Sequence, residues 1–164
     1  MSLPATLAKR VRTLSGCKTP SSSSGGVVYW MSRDQRVQDN WALHHARQLA
    51  VRHKVGLCVI FSLVPTFSEA TIRHYGFMIK GLAEVECELR GLGIPFHCLM
   101  GDPVNTLPEF VESHDACALV ADFSPLRVGN LWKQGIAGKL PDNVPFYEVD
   151  THNVVPVWIA SDKQ

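Results

Sequence analysis

The stretch VVYWMSRDQRVQDNWALHHARQLAVRHKVGLCVIFSL, residues 27–63, decides the fold. It opens on Val27-Val28-Tyr29-Trp30-Met31, an unbroken apolar run rich in β-branched and aromatic residues, as a strand buried on both faces would read. Asp39 or Asn40 then stands where a helix cap accepts the first free N–H groups. Leu43, Ala46, Leu49 and Ala50 fall on one face of the helix that follows, to about His53. Val55–Leu63 is a second apolar run, stopped by Pro65. Strand, helix and strand in that order make a βαβ unit, and the unit implies a parallel sheet.

The same alternation continues outward. A long helix is predicted from about Glu69 to Arg90, with Ile72, Ile79, Leu82, Val85, Leu89 and Leu92 on its core side at helical spacing. Gly91, Gly93 and Pro95 end it. Strands are predicted at Phe96–Met100, Cys117–Asp122 and Pro145–Val149, and helices at Pro103–Ser113 and Pro125–Gly135. The expected fold is α/β: a doubly wound, Rossmann-like, five-stranded parallel sheet of order 3-2-1-4-5, with helices on both faces. Its domain spans residues 27–150. Residues 1–26 read as a basic, Ser/Gly-rich mobile arm, with Ser21–Ser24 and Gly25–Gly26 as flexible linker. Residues 151–164 read as a connector whose Val154, Val155, Val157, Trp158 and Ile159 are too apolar to end a chain uncovered.

Composition narrows the class. With 164 residues, 46% hydrophobic, the chain holds enough apolar material for one real core, which excludes collagenous, disordered and disulfide-scaffold proteins. Its longest apolar run, Val55–Val64, is strand-sized, so no membrane partner is expected. Sixteen basic against fifteen acidic residues argue against a protein that coats DNA. Five scattered cysteines without a CxxC pair support neither zinc nor disulfides, and read as reduced thiols in an intracellular protein. The near-neutral total hides an asymmetry, because residues 1–26 carry Lys9, Arg10, Arg12 and Lys18 and no acid. That arm could be a targeting presequence, a nucleic-acid arm or a solvated terminus.

Ligands of open α/β sheets bind beyond the carboxyl ends of strands, near the switch point between strands one and four. That rule selects Met31, Ser32, Arg33, Asp122, Phe123 and Ser124 as the candidate binding residues. Asp122 and Ser124 could instead cap the helix after Pro125. Arg33 and Arg36 around Asp34 make either an ion-pair knot or an interface. No GxxxxGK[ST] loop, GxGxxG loop or GxSxG elbow occurs, and the histidines show no metal-ligand spacing. No catalytic residue and no metal ligand is therefore assigned.

Several segments, taken in order, resemble class II cyclobutane pyrimidine dimer photolyases. They are Tyr29-Trp30-Met31-Ser32-Arg33-Asp34-Gln35-Arg36 with Asp39-Asn40-Trp41-Ala42-Leu43, then Arg73-His74-Tyr75-Gly76-Phe77-Met78 with Lys80-Gly81-Leu82, then Gly101-Asp102-Pro103. Asp122-Phe123-Ser124-Pro125-Leu126-Arg127 and Val149-Asp150-Thr151-His152-Asn153-Val154-Val155-Pro156 complete the set. Arg10-Val11-Arg12-Thr13-Leu14 is also similar to a basic segment of that family, which counts against the presequence.

The resemblance implies an N-terminal α/β antenna domain of a light-driven DNA repair lyase. Its FAD would lie in a C-terminal helical domain absent here, and damaged DNA would be met through that missing domain. A deazaflavin antenna at the strand tips is implied, held by the six candidates. Arg33, Asp34, Arg36 and Trp158 would face the missing domain, with 151–164 as the start of the interdomain linker. The expected state is a monomer in the nucleus or cytoplasm, with an organelle left open. The competing readings are a stand-alone nucleotide- or flavin-binding module of the same architecture and a cryptochrome-like signalling relative.

Overall fold

The computed structural model describes residues 5–20 and 25–160. The expected Ser21–Ser24 linker, the first four residues of the arm and the last four of the connector lie outside them. Six strands form one sheet: β1 Val11–Thr13, β2 Val27–Trp30, β3 Leu57–Leu63, β4 Phe96–Met100, β5 Ala118–Asp122 and β6 Phe146–Val149. The helices are α1 Ala5–Ala8, α2 Trp41–His53, α3 Ile72–Gly91, α4 Pro103–Ser113, α5 Arg127–Ala137 and α6 Val157–Ala160. Among the described residues no helix is long and apolar enough to cross a membrane, and no group of three or more His, Cys, Asp or Glu is placed to hold a metal ion.

The sheet order is β1-β6-β5-β2-β3-β4. β2 pairs in parallel with β3 and β5, β3 with β4, and β5 with β6, whereas β1 pairs antiparallel with β6 through Arg12 opposite Glu148. The expectation of a five-stranded, wholly parallel sheet is thus corrected. The order differs by the strand added at the β6 edge. Residues 11–13, expected within the mobile arm, form this added strand, and their N–H and C=O groups complete the open edge of β6, which would otherwise go unpaired.

Two core clusters sandwich the sheet. Val27, Tyr29 and Met31 pack with Ala42, Ala46 and Leu49 of α2 and Val85 and Leu89 of α3. Val28 and Trp30, one residue out of phase, pack with Leu107 and Val111 of α4 and Ile136 of α5. This period-two split explains why β2 had to be apolar on both sides. Asn40, rather than Asp39, caps α2 by accepting the Leu43 N–H at 2.8 Å.

Three local expectations are corrected. Gly25–Gly26 is no spacer: a β-carbon at Gly25 would overlap the Asp115 carbonyl, and one at Gly26 would lie 2.8 Å from the Gly56 carbonyl oxygen. Both glycines let backbone approach backbone at the base of β2. α3 starts at Ile72 and not Glu69, because Ser68 and Glu69 stand at φ 34° and 52°, outside helical space. Ile72, Ile79 and Leu92, expected on the core side, are exposed, since only the second half of α3 with Leu82, Val85 and Leu89 reaches the core.

Candidate functional site

The carboxyl ends of β2 and β5 are joined by one buried carboxylate. Asp122, the last residue of β5, has no exposed surface. Its Oδ1 accepts from the Tyr29 hydroxyl at 2.6 Å. Its Oδ2 accepts from the backbone N–H groups of Ser32, Arg33 and Asp34 at 3.0, 2.8 and 3.0 Å. Burial pushes the Asp122 pKa up, and the hydrogen bonds from Tyr29 and from the Asp34 and Arg33 amides oppose that rise. Asn40 ties in the loop from its other side, donating to the Tyr29 hydroxyl at 2.9 Å and to the Asp34 and Arg36 carbonyls at 3.1 and 3.0 Å. Asp122 therefore shapes the 32–34 loop, and does not cap α5. Ser124 Oγ accepts from the Leu126 N–H at 3.3 Å, just before α5 begins.

The shaped loop borders two neighbouring cavities that share part of their lining. The larger, about 390 Å³, lies beyond the end of β3 under the 64–71 loop. Trp30, Phe61, Phe67, Tyr75, Met78 and Trp132 wall it, with Ser32, Gln35, Glu69 and His74 also on its lining. Tyr75 fixes the loop by donating to the Val64 carbonyl at 2.6 Å and accepting from the Phe67 N–H at 3.0 Å. The left-handed pair Ser68 and Glu69 turns the chain there, at a cost of about 1 kcal/mol each. Ser62 Oγ is buried and has no hydrogen-bond partner. The smaller cavity, about 110 Å³, shares Trp30, Ser32, Phe67 and Trp132 and adds Arg33, Asp122 and Ser124.

Of the six candidates, Ser32, Arg33, Asp122 and Ser124 come together. Met31 is wholly buried in the core on the α2 side. Phe123 faces a third cavity of about 550 Å³ beside Arg12, Lys133, Glu148 and Trp158. Strand-tip reasoning missed Phe61, Phe67, Tyr75, Met78 and Trp132. Tyr75 and Met78 sat in a quoted motif, but nothing in an apolar residue's spacing separates a cavity wall from a core position.

The charged residues near these tips are committed within the chain. Buried Asp34 pairs with Arg36 Nε at 3.3 Å and His152 Nδ1 at 3.4 Å, linking the β2 loop to the segment after β6. Trp158 donates from Nε1 to the Lys9 carbonyl at 3.0 Å, under the Arg12 guanidinium at 4.9 Å from its ring centroid. Arg10, itself buried, donates to the carbonyls of Asp150, Asn153 and Val154 at 3.1, 2.7 and 2.9 Å.

Comparison with known proteins adds the family. Residues 27–164 match the DNA photolyase family. The chain is 51% identical over 156 residues to the deoxyribodipyrimidine photo-lyase of Potorous tridactylus, across 95% of this chain and 29% of that protein. It is 47% identical over 139 residues to the deoxyribodipyrimidine photo-lyase of Arabidopsis thaliana, across 85% of this chain and 28% of that protein. The chain thus spans less than a third of the length of these curated relatives. In fold it is similar to a bacterial class III photolyase from Agrobacterium tumefaciens, at a TM-score of 0.60 and 20% identity, over 82% of this chain and 27% of that one. This chain belongs to the DNA photolyase family.

Proposed function

We propose that this chain is the light-gathering N-terminal domain of a class II photolyase, and that the cavity beyond β3 holds its antenna chromophore. The observation that carries the reading is the aromatic cavity of about 390 Å³, whose volume and flat walls suit one tricyclic heteroaromatic ring. A buried hydroxyl without a partner, Ser62 Oγ, supplies the polar contact such a ring needs at one edge. Ser32 lines both cavities, so the Asp122-anchored loop shapes a wall of each.

A bound deazaflavin would absorb near-ultraviolet and blue light and pass the excitation on. The chain's part is to hold the ring flat between aromatic faces, to exclude water, and to keep it at a fixed orientation. The repair reaction itself, on cyclobutane pyrimidine dimers in DNA, is assigned to the longer protein. FAD does not suit the strand tips here, because Met31-Ser32-Arg33 offers no glycine loop for a pyrophosphate. On this reading the electron donor is assigned to the longer protein.

Titrating the chain with 8-hydroxy-5-deazariboflavin, while following tryptophan emission, tests the reading. Quenching that saturates at one ligand per chain is expected, and Trp132→Ala with Phe67→Ala should weaken binding at least tenfold. Unsaturable quenching, or affinity indifferent to both substitutions, would remove the chromophore from this cavity.

A further inference from the structure

We infer that Ser62 orients the ligand of the β3 cavity, and that the cavity selects flat heterocycles lacking a phosphate; this rests on the chromophore reading above. Ser62 lies one residue from the end of β3, paired with Leu99 of β4, where an aliphatic residue would serve a parallel strand as well. Among the described residues it is the only member of the cavity lining whose buried side-chain polar atom has no hydrogen-bond partner. A buried hydroxyl without a partner destabilises the free protein. A ligand atom that pairs with it recovers that loss on binding.

Tyr75 and His74 on the same lining already have partners within the chain. The Tyr75 hydroxyl has both Val64 and Phe67. His74 Nδ1 accepts from the Thr71 N–H at 3.0 Å, which leaves the proton of the neutral ring on Nε2. Among the described residues no Lys or Arg lines the cavity, while Glu69 does. Two cations, Arg33 and Lys133, line the smaller neighbouring cavity. There Lys133 is buried against the Glu148 carboxylate, and Arg33 Nη1 reaches the Phe123 carbonyl at 3.5 Å. A phosphate on this lining would thus lose its water beside a carboxylate, with no cation of that lining to pair with.

Riboflavin and FMN, which differ only by a phosphate, are the probes, with flavin emission followed on the full 164-residue chain. Riboflavin is expected to bind at least tenfold more tightly than FMN, and Glu69→Lys to narrow that gap severalfold. Ser62→Ala is expected to weaken riboflavin five- to tenfold, the worth of one hydrogen bond, while raising the melting temperature of the free chain. Ser62→Thr, which keeps the hydroxyl, should bind like the original. A purely structural serine would move stability and affinity in the same direction, so opposite signs are the signature. FMN binding as tightly as riboflavin overturns the selection. Unchanged riboflavin affinity in Ser62→Ala overturns the orienting role and leaves the chromophore reading standing. No binding of either flavin or of the deazaflavin removes both.

Discussion

The Tyr29 hydroxyl donates to Asp122 Oδ1 at 2.6 Å across the centre of the sheet, and each residue keeps the other in the state this bond needs. Burial drives the Tyr29 pKa well above that of a free phenol, and the Asp122 charge drives it further, so the tyrosine keeps its proton. The carboxylate in turn gathers three backbone N–H groups that nothing else nearby satisfies. Tyr29→Phe is expected to cost about 1–3 kcal/mol, because it leaves the buried Asp122 Oδ1 without its donor. Asp122→Ala should cost more than about 3 kcal/mol, since three backbone amides and the buried Tyr29 hydroxyl lose their partner at once. Urea denaturation of both variants checks the ranking, and an Asp122→Ala midpoint above that of Tyr29→Phe would contradict it.

Glu148 has no exposed surface and takes both Lys133 from α5 and Arg12 from β1. Removing Lys133 leaves the buried Glu148 carboxylate with the partly exposed Arg12 as its remaining partner. Lys133→Met alone is expected to destabilise by about 3–5 kcal/mol, whereas Lys133→Met with Glu148→Leu should recover most of it. A double variant no more stable than the single one would show that Glu148 is held by Arg12 and not by Lys133.

Acid sensitivity should reside in His45. Its ring is buried edge-on to Tyr147 with neither nitrogen partnered, and burial, then Arg52 and His44, lower its pKa to about 4. The unfolded chain takes up this proton near pH 6.5, and the folded one only near pH 4. Stability contributed by the neutral ring is whole above about pH 6.5 and is lost as pH falls toward 4, by about 3 kcal/mol in all. His45→Phe should flatten the curve of unfolding free energy in that window. An unchanged slope between pH 6.5 and 4 would assign the acid sensitivity elsewhere.

Lys54 ends α2 in the left-handed region, at φ 57°, with its N–H on the Ala50 and Val51 carbonyls. That position favours glycine, which meets no β-carbon penalty there. Lys54→Gly is expected to raise stability by about 0.5–1 kcal/mol, as a shift of thermal midpoint by a few degrees. A lowered midpoint would mean that the lysine side chain contributes more than its backbone strain removes.

The parallel strands were legible because each is an unbroken apolar run between helices, and such runs admit few other structures. Val11-Arg12-Thr13 was not, since three residues in a basic stretch carry no period, and their partner lies about 136 positions away. At the strand tips, Ser32, Arg33, Asp122 and Ser124 could be found by a topological rule that names positions. Phe67 and Trp132 could not, because their place beside the cavity depends on how a loop and α5 meet, which no local pattern encodes. In the sequence Arg10 sits in a basic stretch that suits a presequence, a nucleic-acid arm and a solvated terminus alike. Its burial follows from three carbonyls that exist only once the segment after β6 has folded back.

The antiparallel edge of the sheet also sets a clock. Val11–Thr13 leaves the ribosome first and waits for Tyr147–Val149, so at about 5–20 residues per second the pairing is delayed on the order of ten seconds. Through that interval Arg10 and Arg12 have neither their carbonyls nor Glu148. The slowest contact in the topology is the one that joins the two ends of the domain, and a circular permutant that begins at β2 and appends β1 after β6 would make it local.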